Sequence, residues 1–545
     1  MGVSLAYHSA RGVEAVYLPF RHPNIVGAQN YELRHFLRDL QSILDSRVCV
    51  FFNASFDLTS LSTLGLDTSR TKFVCAMIAA HLVNENYPQE KSLNACSRVY
   101  LHGDSKKDDE RFKKALKAYG WEQMPPELMA EYGAYDAVLT LRLWDVLRFK
   151  MKAENQLPVW QHKEKMVRLL NKMERTGVSV DTGLCDKMAA IGEDRMFSIR
   201  EWELDGISPS KQKDLQKLLI DDFGLPQKYH PKTGQPTFNK EAMDEYEEIL
   251  ADLDDPTARL ILEYRGWQKS VSSNYRPYVL LLSPDGRLRP HFLLHGTKTG
   301  RLSCREPNLQ QIPRSGAKPW NGRMKECFIP EEDYVLLEAD FSQLEFRLNA
   351  AYARQPALLE LFNAEENIDI FKQMSKELGW DRDRTKTFVY STSYGAGADR
   401  ISYVFRVDKQ GARRHIEHFY DLYPELRIAS QRAQATVERF RKIDTWSGRF
   451  RHFSSVAREG HKALNSVIQG GAADIVERRM LALDKICSNE CRMVLQVHDS
   501  VWFEIKREEV ERYKPEIQRV MENVEEDFDF GVHFRVEVKE VGGHA

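Results

Sequence analysis

The sequence predicts a multidomain protein that combines α/β and α+β folds. Its 545 residues exceed what one hydrophobic core usually organises, so three or four folding units are expected. Strand and helix patterns alternate over the first 150 residues, and residues 153–285 have a mostly helical pattern. Strands with unbroken apolar runs return after residue 330, so a final unit that mixes strands and helices is expected.

The composition is that of an ordinary soluble protein, with 42% hydrophobic and 29% charged residues. No apolar run reaches membrane-spanning length and no signal-peptide pattern opens the chain, so a cytoplasmic location is expected. The net charge of −2 does not itself indicate nucleic acid, although cations lining one cleft would still permit binding. Cys487 and Cys491 lie one helical turn apart, but reduced thiols are favoured over a metal pair because no other ligands cluster nearby.

The first 150 residues have the pattern of an α/β unit that carries two acidic motifs. The predicted elements are strands at residues 13–18 and 48–52 and an amphipathic helix at residues 31–44. Asn53-x-x-x-Asp57 follows the second strand, and Tyr132-x-x-x-Asp136 opens a later helix. These motifs resemble the second and third motifs of the 3′–5′ exonuclease domain of polymerase-I-like enzymes. The resemblance implies an RNase-H-like fold in which Asp57 and Asp136 bind metal and Tyr132 orients the attacking water.

That family also has a first motif, Asp-x-Glu, on its opening strand, and this sequence lacks it there. Glu14 is the first acidic residue and has no acidic partner two residues before it, while the formal match at residues 108–110 lies in a charge run typical of a solvated segment. The chain is expected to begin just after the missing motif. Because two-metal hydrolysis needs enough carboxylates, proofreading is expected to be absent or very weak. A gene start placed too late, or a separate chain supplying the strand, are the alternatives.

The helical segment after residue 152 contains an amphipathic helix that Gly177 is predicted to end. Ser208 or Ser210 is the predicted cap of a later helix. Lysines and serines at these helix starts suit phosphate contacts, with solvated helix ends as the alternative. In its residues and in the order of its helices and turns, the segment resembles the thumb of family-A polymerases, which binds the minor groove of primer–template DNA.

Residues 299–313, TGRLSCREPNLQQIP, resemble the segment that joins thumb and palm in the same family. Gly300 allows a close approach, and Arg301 can reach minor-groove acceptors whatever the base pair. A surface turn is the alternative, and the neighbouring motifs disfavour it.

The stretch around Asp340 is the centre of the predicted site. Residues 335–337 are apolar and predict a strand buried on both faces, and the spacing after Asp340 predicts a helix. A carboxylate at such a corner suits a hard cation such as Mg²⁺, with a helix N-cap as the alternative. The resemblance implies that Glu345 excludes ribonucleotides by occupying the space of the 2′-hydroxyl and that Gln343 belongs to the nucleotide site.

A helix predicted over residues 381–395 carries Arg382, Lys386, Tyr390 and Tyr394 at spacings of four, which places them on one stripe about 120° wide. Two cations followed by two rings suit a nucleotide, whereas an amphipathic helix with aromatics in the core is the alternative. The stripe matches the nucleotide-binding helix of the family. This match implies that the two cations bind the triphosphate, Tyr390 packs on the incoming sugar and Tyr394 stacks near the templating pair.

Three residues near this helix bear on how closely the chain follows the family. Phe371 stands where histidine is frequent near the phosphates, with Lys372 as the candidate substitute, and Ser391 stands where glycine is usual. Many members have phenylalanine where this chain has Tyr390. The tyrosine implies readier acceptance of dideoxynucleotides, because its hydroxyl can replace a lost contact to phosphate.

Asn465 and Gln469 lie one helical turn apart and carry amides that can donate to minor-groove acceptors shared by all base pairs. Ordinary polar positions on a helix are the alternative. By resemblance, these two residues sense correct pairing geometry.

Residues 493–504 predict a strand, a tight turn with Asp499 at its tip, and a second strand. The segment resembles the second metal-binding motif of the family, so Asp340 and Asp499 are expected to meet on adjacent strands. Ser500 stands where glutamate is usual, which implies retained activity with weaker metal binding. His498 is expected to support the primer terminus.

The resemblance spans nearly the whole chain, which is identified as a member of the family-A, polymerase-I-like DNA polymerases, of phage type and without a 5′ nuclease domain. It implies addition of dNTPs to a primer on primer–template DNA, with Asp340, Asp499 and Lys386 as catalytic residues. Two Mg²⁺ ions are expected, with Mn²⁺ as an alternative. A monomer is expected, in the host cytoplasm if phage-encoded, without membrane contact and with unknown replisome partners. The predicted domains are an exonuclease-like domain at 1–152 and a right-hand polymerase with thumb at 153–290, palm at 291–375 and 471–545, and fingers at 376–470.

Two other classes share part of this pattern. A single-subunit RNA polymerase has the same palm and helix plan, but Glu345 and the exonuclease-like segment disfavour it. A non-catalytic DNA-binding relative would have no reason to keep both Asp340 and Asp499.

Overall fold

The computed structural model describes residues 2–22, 30–102, 110–230, 233–313, 318–364 and 369–541. Among those residues, none of the helices combines the length and apolar character that a bilayer crossing requires.

The N-terminal part pairs a β-hairpin with a layer of helices. Its elements are β1 (Gly2–Ser9), β2 (Gly12–Pro19), α1 (Leu33–Ser46), β3 (Val48–Phe51), α2 (Ala54–Thr63), β4 (Lys72–Cys75), α3 (Ala76–Val83), α4 (Leu93–Tyr100), α5 (Glu110–Tyr119) and α6 (Pro126–Ala153). Strands β1 and β2 are antiparallel, β3 and β4 are parallel, and α6 packs across the hairpin. The predicted strands and helix are confirmed to within two residues, and β1, with alternating Val3 and Leu5, is an additional strand.

The helical segment that follows has a hydrophobic core of its own. Its elements are α7 (Leu157–Thr176), β5 (Val178–Val180), α8 (Thr182–Ser198), α9 (Gln212–Leu215), α10 (Lys240–Ala251), α11 (Thr257–Ser270) and α12 (Arg276–Leu280), with π-helical continuations at Ile199–Glu203, Gln216–Asp222 and Val271–Tyr275. Buried side chains between Ile199 and Ile261 form this separate core. Helix α7 instead packs against α21 and β13 of the C-terminal half, defined below, so it belongs to the main core.

Two helix boundaries in this segment can be compared with the boundaries that the sequence predicts. Gly177 follows α7 with φ of 66°, a left-handed value that favours glycine, so the predicted end of that helix is confirmed. The predicted serine cap is wrong, because α9 begins after Lys211 and no serine side chain caps it. The Ser210 hydroxyl instead donates to Gln268 Oε1 at 2.9 Å. The Ser208 backbone N–H donates to the Asp214 carboxylate on α9.

A four-stranded antiparallel sheet in the order β13-β14-β10-β15 forms the centre of the C-terminal half. The strands of this half are β6 (Arg287–Leu288), β7 (His291–Leu293), β8 (Ser303–Arg305), β9 (Phe328–Ile329), β10 (Tyr334–Phe341), β11 (Lys442–Asp444), β12 (Phe450–His452), β13 (Cys491–Val497), β14 (Ser500–Lys506) and β15 (Val536–Glu540). Val335, Leu336 and Leu337 are all nearly inaccessible in β10, which confirms the predicted buried strand.

Helices surround this sheet and extend away from it as a second layer. They are α13 (Leu344–Ala353), α14 (Pro356–Asn363), α15 (Ile370–Leu378), α16 (Arg382–Ser393), α17 (Ala398–Phe405), α18 (Lys409–Leu422), α19 (Pro424–Phe440), α20 (Val456–Glu459), α21 (Ala463–Asp484) and α22 (Val510–Glu522), with 3₁₀ turns at Leu309–Gln311, Met324–Cys327, Gly460–Lys462, Arg507–Glu509 and Val524–Glu526. Helix α22 packs on β10, β14 and β15, and α21 packs on α13. The Asp381 side chain accepts from two N–H groups at the start of α16, which fixes where that helix begins.

Buried ion pairs join the C-terminal half to α7 and to the N-terminal part. Lys163 of α7 lies 2.6 Å from Glu477 of α21, and both side chains are at most 3% exposed. Burial acts to raise the pKa of Glu477, but Lys163 and His162 together outweigh it and lower the value to about 2. Glu85 lies 2.7 Å from Arg451 of β12, again with both side chains buried. The two halves are therefore held together by desolvated charges as well as by apolar contact.

Candidate active site

The two carboxylates that the sequence singles out lie side by side at one edge of the central sheet. Asp340 near the end of β10 is paired in register with Ser500, the first residue of β14. Asp499 precedes it in the turn between β13 and β14, and its carbonyl accepts from the Phe341 N–H at 3.4 Å. Two carboxylates at one corner supply the hard oxygen donors that a divalent cation such as Mg²⁺ prefers, so these residues fit such an ion.

The corner after Asp340 shows that this aspartate is not the cap of α13. The helix begins at Leu344, and the capping position belongs to Gln343, which has φ of 56° and makes no capping hydrogen bond through its side chain. Among the described residues Gln343 Oε1 is buried without a hydrogen-bond partner. Asp340 therefore lies four residues before the start of α13, and the left-handed turn at Gln343 leaves a buried acceptor beside the site.

Arg301, Glu345, Tyr394 and Asp499 form one polar cluster although they come from four distant segments. Arg301 Nη2 contacts the Glu345 carboxylate and lies 3.2 Å from Asp499 Oδ1. The Tyr394 hydroxyl donates to the other oxygen of Glu345. Burial raises the pKa of Glu345, the positive charge of Arg301 opposes this shift, and Asp499 adds to it. The structure thus connects a metal-binding candidate to the predicted groove-binding and nucleotide-binding residues.

The stripe on α16 is present over one face of the helix, as its spacing predicts. Arg382 forms an ion pair with Asp369, which raises the pKa of the guanidinium. The rings of Tyr390 and Tyr394 lie 5.9 Å apart, and Tyr390 also lies 5.6 Å from Phe371. Lys386 Nζ lies 5.7 Å from the centre of the Phe371 ring. Phe371 is fully buried, so it supports the stripe from below as a packing residue.

The turn before Asp499 is held by two buried amides that the sequence analysis does not single out. Gln310 donates to the backbone oxygen and to the side-chain oxygen of Gln496, at 2.7 Å in both cases. The Gln310 oxygen accepts from the His498 N–H at 3.0 Å, where His498 has φ of 55°. A polar Gln496 within the apolar strand β13 is the sequence signal that could have indicated this role. These contacts position His498 and the neighbouring Asp499.

Gly300 lies beneath Arg449, a buried residue that motif comparison does not reveal. The φ of Gly300 is 86°, and a Cβ atom there would come within 2.5 Å of the Arg449 guanidinium. Arg449 also donates to the Thr299 carbonyl. Gly300 therefore does permit a close approach. The group that approaches it is the Arg449 guanidinium, which also holds the segment before Arg301.

Asn465 and Gln469 lie in the first two turns of α21. Both side chains are partly exposed. Asn465 Oδ1 has no hydrogen-bond partner among the described residues. This oxygen is an acceptor, so it does not bear on the predicted donation to minor-groove acceptors, which stays a prediction.

The residues of the exonuclease-like motifs lie on two helices of the N-terminal part, Asp57 on α2 and Tyr132 and Asp136 on α6. Burial raises the pKa of Asp57 to about 7. The Tyr132 ring stacks on Phe112 at 3.9 Å, and its pKa is raised by burial and by the charge of Asp136. Glu14 accepts from hydroxyls on its own hairpin. Residues 108 and 109 of the formal Asp-x-Glu match lie outside the described residues.

Clustering among the described residues adds no further ligand to any candidate metal site, including that of Asp340 and Asp499. In the part of the chain that the structure describes, no three His, Cys, Asp or Glu side chains are grouped to hold a metal ion. Cys487 and Cys491 therefore acquire no third ligand there. The exonuclease motifs likewise contribute no such group within the described ranges.

Comparison with known proteins gives matches to both halves of the chain. The model of DNA polymerase family A matches residues 186–543, and that of a 3′-5′ exonuclease matches residues 13–152. DNA polymerase I of Pseudomonas aeruginosa is 26% identical over 96% of this chain and 59% of its own length. The thermostable DNA polymerase I of Thermus thermophilus is 30% identical over 71% of this chain and 49% of its own length. The chain thus spans about half of the curated relatives it matches.

A solved structure, the POL domain of Pol1 from M. smegmatis in complex with DNA primer-template and dNTP, shares the fold. Its TM-score is 0.83 at 23% sequence identity, over 99% of this chain and 92% of that chain. The predicted fold class, an exonuclease domain followed by a polymerase domain, is confirmed. The family model covers more than half of the residues, and the carboxylates, the α16 stripe and Arg301 all lie within its match. This chain belongs to DNA polymerase family A.

Proposed function

We propose that this chain carries out template-directed DNA synthesis by adding dNTPs to a primer 3′ end. The observation that supports it most is the convergence of Asp340, Asp499, Arg301, Glu345 and Tyr394 at one edge of the central sheet. Membership of DNA polymerase family A supports the reaction class. The M. smegmatis structure, which is in complex with primer-template and dNTP, supports these ligands by analogy.

In this mechanism Asp340 and Asp499 would hold two Mg²⁺ ions, with Mn²⁺ as an alternative. When bound, the ions would lower the pKa of the primer 3′-hydroxyl and neutralise charge on the pyrophosphate leaving group. Arg382 and Lys386 would bind the triphosphate and stabilise the negative charge that develops there. Tyr390 would pack on the incoming sugar.

Arg301 has donors left for DNA while it holds the site together. Both of its contacts, to Glu345 and Asp499, use Nη2 alone. Its Nε is buried without a hydrogen-bond partner among the described residues. A guanidinium has five N–H donors, so Arg301 could bind minor-groove acceptors of the primer–template and keep its contact with Glu345. Asn465, Gln469 and His498 would contact the same duplex.

Primer extension on a defined template tests the proposal. We expect the purified chain to extend a primer with dNTPs and Mg²⁺ and to incorporate rNTPs poorly. Efficient extension with rNTPs in place of dNTPs would favour the single-subunit RNA polymerase alternative. Binding of primer–template without any extension would favour a non-catalytic relative.

Tyr390→Phe is expected to lower the incorporation of dideoxynucleotides relative to dNTPs by about tenfold. The phenol hydroxyl is the one group removed, and a hydrogen bond to a charged phosphate contributes about 1.5 kcal/mol. Chain-termination efficiency at fixed nucleotide ratios measures the effect. Tyr403→Phe, which removes an exposed hydroxyl on α17, is the matched control. Equal termination by Tyr390→Phe and the native chain would contradict the prediction.

We also propose that proofreading by this polypeptide is weak. The support is that burial leaves Asp57 with a pKa of about 7. A carboxyl that is partly protonated at neutral pH binds a divalent cation less well. Mismatched primer ends incubated with Mg²⁺ and no dNTP should therefore shorten slowly. Rapid shortening that Asp136→Asn abolishes would overturn this proposal.

The domain boundaries, the monomeric state, the cytoplasmic location and the phage-type origin stay predictions.

A further inference from the structure

A buried carboxylate that the mechanism does not use lies on the same sheet face as Asp340. Glu338 precedes Asp340 by two residues in β10, so their side chains share a face, and Glu338 is only 6% exposed. The register places Ser500 opposite Asp340 and Trp502 opposite Glu338. One face of the strand pair therefore carries the predicted metal-binding carboxylate and a second carboxylate in an apolar setting.

Two side chains satisfy Glu338 and connect it to the turn of Asp499. Lys325 Nζ lies 2.9 Å and 2.7 Å from the two Glu338 oxygens. The Ser500 hydroxyl lies 3.2 Å from Glu338 Oε1 and 2.9 Å from the Val497 carbonyl. Ser500 follows Asp499 directly and Val497 closes the other side of the turn. The hydroxyl is thus shared between the carboxylate on β10 and the strand that enters the turn.

The lysine in this group is also fixed by its surroundings. Lys325 lies in the 3₁₀ turn Met324–Cys327, its side chain is 15% exposed, and its Nζ lies 5.5 Å from the Trp502 ring. A lysine beside a buried carboxylate cancels the charge that would otherwise repel Asp340 and Asp499. The charges of Lys325 and Glu338 therefore cancel, and each oxygen of Glu338 has a hydrogen-bond partner. These contacts continue through Ser500 to the turn of the predicted metal site.

We propose that Glu338, held by Lys325 and Ser500, is a positioning residue that fixes the turn carrying Asp499 and so keeps Asp499 aligned with Asp340. Residues behind metal ligands commonly set ligand orientation, and their loss costs about tenfold or more in metal affinity. This inference rests on the proposed polymerase function.

The test measures metal binding directly. Mn²⁺ is titrated into the complex of the chain with primer–template whose primer lacks a 3′-hydroxyl, and electron paramagnetic resonance reports free Mn²⁺. We expect Glu338→Gln and Ser500→Ala each to raise the apparent Kd for Mn²⁺ about tenfold. In extension assays kcat should fall at low Mg²⁺ while the KM for dNTP stays unchanged. The double variant should lose little more than the worse single variant, because both changes break one chain of contacts.

Glu504→Gln is the matched control. Glu504 lies on the same face of β14, is buried, and pairs with Arg287 at 2.8 Å, but it is placed opposite Leu336 and away from the turn. We expect it to lower the unfolding temperature without changing the Kd for Mn²⁺. Unchanged Mn²⁺ affinity and kcat in folded Ser500→Ala would overturn the inference, even if Glu338→Gln does not fold. Failure of the native chain to extend primers would instead refute the proposed function.

Discussion

Asp340→Asn is expected to abolish primer extension, with a loss in kcat of at least about 10³-fold. An amide keeps the shape of the side chain but removes the negative charge that holds a divalent cation. Electrostatic stabilisation by such an ion is worth several kcal/mol, and each 1.36 kcal/mol is a factor of ten in rate. Single-turnover extension at saturating dNTP measures the loss. Unfolding temperature should stay the same or rise, because one of two neighbouring carboxylates is neutralised.

Asp333→Asn provides the control for this result. Asp333 precedes the other end of β10 and has φ of 64°, a conformation that asparagine adopts readily. The same chemical change in the same segment should therefore leave extension and stability unchanged. Asp340→Asn with full extension activity would contradict the assignment of Asp340 as a metal-binding catalytic residue.

Glu345→Ala is expected to weaken discrimination against ribonucleotides by about 100-fold. The Glu345 side chain is 12% exposed and is held by Arg301 and Tyr394, so it is a fixed obstacle. Removing a fixed clash against a competing substrate changes its relative binding by about 3 kcal/mol. The ratio of kcat/KM for dNTP and rNTP, measured on one template, gives the effect. Because Arg301 is also released by this change, the absolute rate with dNTP should fall.

Glu345→Gln separates size from charge. Glutamine occupies the same volume, so discrimination should be retained if the obstacle is steric, even where dNTP incorporation slows. Discrimination lost in both variants would indicate that the negative charge of Glu345 does the excluding. Discrimination retained in Glu345→Ala would show that another residue excludes the 2′-hydroxyl.

The arrangement of Asp340 and Asp499 could be predicted because each follows an apolar run that is long enough to indicate a strand. The contacts of Arg301 with Glu345 and of Glu345 with Tyr394 could not. They join segments far apart in the chain, and no local pattern encodes which side chains meet across a cleft. The partners of Glu338 are hidden for the same reason, since a polar residue in an apolar strand indicates an unusual environment without naming the group that satisfies it.

Local signals were reliable where one backbone conformation dominates. Gly177 ends α7 because few other residues tolerate its φ, and the Asp381 cap begins α16 through its own side chain. The cap predicted at Ser208 or Ser210 is wrong because serine has competing partners. Ser210 uses its hydroxyl for Gln268 of α11, a contact that depends on how two helices pack.

The buried ion pairs that hold the C-terminal half limit which parts of the chain can be lost during evolution. A fragment that begins at residue 186, where the family A match starts, would lack Lys163 and Glu85. Glu477 would lose its ion pair with Lys163, and Arg451 would retain its 3.8 Å contact with Glu459 but lose Glu85. Each broken buried pair costs about 3–5 kcal/mol, against about 5–15 kcal/mol for the stability of a typical domain. Selection for a folded polymerase would therefore preserve α7 and the part of the N-terminal domain that carries Glu85, even in a lineage that never digests DNA with that domain.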